Sequence, residues 1–186
     1  MKRRPRPRCH DGYHPEQEQS FAPAICNRLD RNTEGLVLAA KEAATLRELN
    51  RLIRENRIQK TYLCVLTATP PKQTDILHAY HWKDEKTNTV TISDHPKAGY
   101  REIITEYRVL QQQNGLCLAE ITLHTGRTHQ IRAHMAHVHA PLAGDSKYGD
   151  RRKNESLHLK HQLLCAYQLQ FHPEADSCLA YLNGKT

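Results

Sequence analysis

The sequence predicts an α+β fold built on a large, mostly antiparallel or mixed sheet. Three observations carry this: segments of strand character outnumber helical ones, one segment is strongly amphipathic at helical spacing, and Asn114-Gly115 marks a tight turn between two strand-like runs. At 186 residues the chain is long enough to bury a core of its own, so one compact unit is expected, with no internal repeat and no second domain.

Residues 1–20 carry Lys2, Arg3, Arg4, Arg6 and Arg8 among prolines and offer almost nothing apolar to bury, which predicts a basic, mobile N-terminal segment. From Phe21 the composition becomes globular. The run Leu36-Val37-Leu38-Ala39-Ala40 suits a short buried strand. A helix should follow over about Glu42 to Asn56, because Leu46, Leu49, Leu52 and Ile53 recur at three- and four-residue steps while Arg47, Glu48, Arg51 and Arg54 lie off that stripe.

Thr61 to Thr67 is rich in β-branched and aromatic residues and is closed by Pro70-Pro71, so a strand is expected with Tyr62 near its start. Weaker strand signals lie at Thr89 to Ile92 and Ile103 to Leu110. The latter should form a hairpin with Leu116 to Leu123. His124 to His139 reads as a glycine-containing turn and a short helix from near Thr128, stopping before Pro141 and Gly144. Near the C-terminus Cys165, Tyr167, Leu169 and Phe171 alternate with Ala166, Gln168 and Gln170, the period of a half-buried strand.

Lys plus Arg number 27 against 20 Asp plus Glu, a formal net charge of +7, so polyanions and nucleic acid above all are the favoured partners. The six cysteines stand singly with no close pair, which argues for reduced thiols, most of them buried, and a cytoplasmic setting. The sequence has no apolar run approaching the roughly 20 residues of a membrane span and no apolar signal segment behind the basic start. No membrane association is expected, and without an obvious exposed apolar face a monomer is expected.

Two constellations could carry chemistry. Asn27-Arg28-Leu29-Asp30-Arg31-Asn32-Thr33-Glu34-Gly35 sets two arginines around one aspartate. If Arg28 to Asp30 is extended, Arg28 and Asp30 project to one side and Leu29 points into the core, so a carboxylate and a phosphate-seeking cation face one ligand. On the residues alone, a surface ion-pair cluster would look the same. The second constellation runs from His124 through Gly126-Arg127-Thr128-His129-Gln130-Ile131-Arg132-Ala133-His134 to Gly144-Asp145 and Tyr148-Gly149. It places His129 and Arg132 three apart on one helix face. A zinc site at His129, His134, His137 and His139 is disfavoured, since no cysteine pair or metalloprotease spacing accompanies them.

Asn27 to Gly35 resembles the H-R-L-D-x-x-T-S-G motif of RluA-type RNA pseudouridine synthases, and Gly126 to His134 resembles their G-R-T-H-Q-I-R-V-H motif. Lys60-Thr61-Tyr62 is similar to the K-x-Y strand between them, and Pro141 to Asp145 and Leu164 to Ala166 are similar to later segments. The order of the motifs makes the likeness specific, over roughly Phe21 to Pro173. Two positions depart from the pattern: Asn27 replaces the usual His, and Glu34 the usual Ser or Gly.

The resemblance implies a single pseudouridine-synthase-like catalytic domain over residues 21–186, its large mixed or antiparallel sheet flanked by short helices. A Lys-Pro-x-Gly-like strand segment that would precede this region is missing from the sequence, so the expectation is a domain truncated at its N-terminus. The implied activity is isomerisation of uridine in RNA, most readily ribosomal RNA, to pseudouridine, with no cofactor. Asp30 becomes the catalytic aspartate, Tyr62 the tyrosine against the target base and Arg132 the basic partner of Asp30. Arg28 becomes the residue that enters the space left by the flipped nucleotide, and Arg31, Arg127, His129 and Gln130 become candidates for RNA contacts. A non-catalytic RNA-binding module, or a degenerate family member, is the alternative.

Overall fold

The computed structural model describes residues 21–186, so the expectation for residues 1–20 falls outside the described residues. The described residues form two compact units. One consists of residues 21–28, Val37–Gln59 and Leu169–Thr186; the other of Leu29–Leu36 and Lys60–Gln168.

In the first unit, β1 (Ala24–Ile25) pairs antiparallel with β3 (Ala39–Ala40). Helix α1 (Ala43–Arg54) forms where the apolar spacing predicts it. Leu49 and Leu52 are buried with Ala40, Ile58, Leu169 and Leu179, and Leu46 and Ile53 pack against them. The side chain of Asn27 accepts the backbone N–H of Leu38 at 2.7 Å, so the residue that replaces the usual His is a local bracket here.

The second unit is organised by a seven-stranded sheet whose strands run in the order β2 (Glu34–Gly35), β9 (Leu164–Phe171), β4 (Ile58–Leu66), β8 (Leu116–Leu123), β7 (Arg101–Gln113), β5 (Thr74–Asp84) and β6 (Thr89–Ser93). β2 runs parallel to β9, while β4, β8, β7, β5 and β6 pair antiparallel in succession. The fold is therefore α+β on a large mixed sheet, as the sequence predicts. The β7–β8 hairpin turns at Asn114 and Gly115, both at positive φ, 53° and 75°.

One face of this sheet buries Cys64 and Leu66 of β4, Tyr107 of β7, and Cys117, Ala119 and Ile121 of β8. Ile131 and Met135 from helix α2 (Gln130–His137) close over them. Full burial of one such side chain contributes roughly 1.5–3 kcal/mol, so α2 is anchored firmly and its polar side chains are placed by that anchoring. A second short helix, α3 (Arg151–Ser156), is capped by Asp150, which accepts the N–H of Lys153.

Several expectations need correction. Leu36 to Ala40 is not one buried strand: Gly35 ends β2, Leu36 and Val37 are about half exposed, and only Ala39–Ala40 returns to a ladder. Gly35 sits at φ 114°, and a Cβ there would overlap the backbone of Ala166, so the chain turns where the apolar run suggested continuity. Leu29 is half-buried and belongs to neither core, contrary to the inward orientation expected of it. β9 is half-buried as expected, but its faces change along its length: Leu164 and Ala166 are buried and Tyr167 is exposed in the first half, opposite to the expected face, while Leu169 is buried and Phe171 packs against a core in the second half, as expected. Of the five cysteines among the described residues, only Cys64 and Cys117 are buried; Cys26, Cys165 and Cys178 are half-buried, so fewer are buried than expected. β5 and α3 were not anticipated.

One core group is expected to give the fold a pH dependence. His134 of α2 is 1 % exposed, its Nδ1 lies 2.9 Å from the Thr105 hydroxyl, and burial pushes the imidazole down to about 4. Between that value and the ~6.5 of an unfolded histidine, the unfolded chain binds the extra proton, so stability falls as pH drops through this window. The expected loss approaches about 3 kcal/mol by the lower end. Denaturant midpoints recorded from pH 7 to pH 4 should show it, and His134→Gln should flatten the slope.

Candidate active site

The aspartate turn is built first. The N–H of Thr33 donates to the Asp30 carbonyl at 3.0 Å, closing a turn in which Asn32 takes a left-handed conformation at φ 65°. Gln162, 6 % exposed, donates to the Arg31 carbonyl at 2.6 Å and to the Thr33 hydroxyl at 3.2 Å, and the Leu36 N–H reaches the Ala166 carbonyl at 2.8 Å. The turn is thereby tied to the segment leading into β9. Nothing in the sequence marked Gln162.

Tyr62 lies in β4 opposite Ile121 of β8, packed against the core beneath α2. Burial raises the pKa of its hydroxyl, and the Asp30 charge raises it further, so the phenol is protonated near neutral pH. Lys60, on the same face two residues earlier, has its pKa lowered by burial. Gly126 passes close to its ammonium group.

Arg132 is 6 % exposed on α2. Its Nη1 lies 3.6 Å from Asp30 Oδ2, and its Nε and Nη2 donate to Asp145 at 2.7 and 3.0 Å. Burial opposes its charge, yet the hydrogen bonds and the charge of Asp145 hold its pKa above the usual arginine value. Burial likewise opposes the charge of Asp145, whose pKa is nonetheless lowered by the Arg132 hydrogen bonds and by the N–H groups of Lys147 and Tyr148. The Arg132 guanidinium stands 5.4 Å from the centre of the Tyr148 ring.

His129 is the N-cap of α2 in a left-handed conformation, φ 52°, so it precedes the helix rather than sharing a face with Arg132 from within it. Its Nδ1 is 2.9 Å from the Tyr148 hydroxyl, which also accepts the Val90 N–H. Burial lowers its pKa, so the ring is neutral near pH 7. Gln130 is not open to a nucleotide. It is 2 % exposed; its Nε2 donates to the Ile104 carbonyl and Thr105 hydroxyl, and its Oε1 accepts from the Arg127 N–H and Thr125 hydroxyl. All its hydrogen-bonding capacity therefore fastens the loop to β7.

Arg31 and Arg127 are exposed in this unit, and Arg28 is exposed in the other. Three of the four histidines considered for zinc have other partners: His129 meets Tyr148, His134 meets Thr105, and His137 meets Asp94 at 2.8 Å. Among the described residues no group of three or more His, Cys, Asp or Glu side chains is arranged to hold a metal. A cavity of about 500 Å³ lies along Thr33, Leu63, Val65, Leu118 and Cys165, and neither Asp30, Tyr62 nor Arg132 lines it. What the site offers chemically is a quarter-exposed carboxylate, a buried arginine and a protonated phenol supported by the sheet and α2.

Comparison with known proteins shows the family. The family profile described as RNA pseudouridylate synthase matches residues 2–137. An uncharacterized RNA pseudouridine synthase of Chloroflexus aurantiacus is 35% identical over 156 residues, 82% of this chain and 47% of that protein. Ribosomal large subunit pseudouridine synthase C of Vibrio cholerae is 31% identical over 159 residues, 83% of this chain and 49% of that protein. The chain thus spans about half the length of these curated relatives. The fold matches human RNA pseudouridylate synthase domain containing 1 with a TM-score of 0.71 at 23% identity, over 86% of this chain and 68% of that one. From the sequence relatives and the family profile together, the chain belongs to the RNA pseudouridylate synthase family.

Proposed function

We propose that this chain carries the catalytic centre of an RNA pseudouridine synthase, with Asp30 as the reacting carboxylate. The observation that carries the reading is the Arg132 guanidinium set between Asp30 and Asp145 in the unit that also holds the protonated Tyr62. A surface ion pair would need neither a buried arginine nor a second buried acid.

The reaction breaks the bond from ribose C1′ to N1 of uracil, turns the base, and joins C1′ to C5. The hydrogen on C5 leaves as a proton, and N1 gains one, so the isomerisation is redox-neutral. Asp30 acts as the nucleophile of this exchange, on the pattern of carboxylates in retaining glycosidases. Arg132 supplies its counter-charge. Tyr62 presents an aromatic face to the uracil and a hydroxyl that takes part in removing the C5 proton. Arg31 and Arg127 bind phosphates, and Arg28 fills the gap left when the target base leaves its stack. His129, neutral and almost buried, shapes the edge of the site. The name of the Vibrio cholerae relative supports ribosomal RNA as the substrate. We further propose that the protein works as a monomer in the cytoplasm, a reducing compartment that suits its singly spaced cysteines.

RNA labelled with tritium at uracil C5 tests the reaction directly. Wild-type protein should release tritium to water, and Tyr62→Phe should slow release by roughly 10²- to 10⁴-fold, the usual range for loss of an acid–base group. RNA binding without release, across ribosomal fragments, would favour a non-catalytic RNA-binding module instead.

A further inference from the structure

The guanidinium of Arg132 is a planar fork whose Nε–Nη2 edge matches a carboxylate in two parallel hydrogen bonds. That edge is not given to Asp30. It is taken by Asp145, at 2.7 Å from Nε and 3.0 Å from Nη2, while Asp30 meets Nη1 at 3.6 Å. Asp145 is 1 % exposed and is itself held: its Oδ1 accepts the N–H groups of Lys147 at 2.8 Å and Tyr148 at 3.0 Å. Its backbone is fixed as well, because the Asn154 side chain donates to its carbonyl and accepts the N–H of Gly144. Gly144 lies at φ 78°, with no room for a Cβ against the His161 carbonyl. This rigid acid lies beyond residues 2–137, the extent of the family match.

We infer that Asp145 is a positioning residue for the reaction: it clamps the bidentate edge of Arg132 so that Asp30 keeps a one-pronged contact. The inference rests on the reading of Asp30 as nucleophile. A carboxylate gripped by both arms of an arginine has its oxygens engaged and must break two charge-assisted bonds before it attacks. One long contact leaves the Asp30 oxygens available, while the clamped arginine still supplies positive charge at a fixed place. Without the clamp, Arg132 is free to turn its fork onto Asp30 and bind it as a static ion pair.

Asp145→Asn preserves shape but sets an amide or an uncharged oxygen against the arginine edge. Single-turnover rates should fall roughly 10- to 100-fold, the loss typical when a residue orienting a functional ligand is removed. The RNA dissociation constant should stay within about two-fold, because Asp145 is 1 % exposed and offers no surface to a ligand. Combined with Arg132→Lys, whose ammonium has no edge to clamp, Asp145→Asn should cost nothing further. Asp145→Glu keeps the buried charge but moves it by one methylene, and it decides the matter if the Asn variant does not fold: its rate should also fall with RNA affinity intact. Wild-type rates in a folded Asp145→Asn or Asp145→Glu protein, or additive losses in the double variant, would overturn the clamp alone. A wild-type protein that makes no pseudouridine would overturn the nucleophile reading and the clamp with it.

Discussion

Replacing Asp30 with Asn should lower pseudouridine formation by on the order of 10⁴-fold or more while leaving RNA binding intact. The substitution keeps the volume and the turn, since the Thr33 N–H bonds the backbone carbonyl of residue 30 and not its side chain. It removes the charge that a covalent step requires and leaves an amide in its place. Binding should hold or tighten, because an anion has been taken from a surface that includes exposed Arg31 and Arg127. Filter binding and single-turnover kinetics on one RNA separate the two effects. A parallel fall in both would point to a binding role for Asp30.

Arg132→Met should be the most damaging substitution for the fold among the site residues. It leaves the Asp145 carboxylate, 1 % exposed, with backbone N–H groups but without its counter-charge. Breaking a buried pair from one side typically costs about 3–5 kcal/mol. Equilibrium denaturation should show that loss. Adding Asp145→Leu should recover much of it, since an apolar pair avoids burying a lone charge, yet activity should stay lost in both variants. Recovery of activity with stability would mean that Arg132 serves only to hold the protein together.

What could be read from the sequence depended on whether the signal was local. The stripe of α1 and the Asn114-Gly115 hairpin are short-range patterns, and both appear as predicted. β5 escaped because Thr74–Asp84 interleaves His78, His81, Lys83 and Asp84 with its apolar residues, so no clean alternation is visible before β7 and β6 pair with it. The run Leu36 to Ala40 misled because Gly35 and the Ala166 backbone, far away in sequence, decide where the chain turns. Asp30 and Arg132 were legible through their motifs, and the structure places them 3.6 Å apart. The grip of Asp145 on Arg132 and the bracing of the turn by Gln162 are tertiary facts with no periodicity to announce them. Gln130 was misjudged for the same reason: an amide in a basic motif looks available until the carbonyl of Ile104 and the hydroxyl of Thr105 are found against it.

The most direct test of the account is a map of pseudouridine, by chemical labelling, in total RNA from cells lacking this gene after incubation with wild-type protein or Asp30→Asn. Discrete new sites with the wild type, in ribosomal RNA, and none with the variant are the predicted result. Equal modification by both proteins, or none by a wild-type protein that binds the RNA, would contradict it.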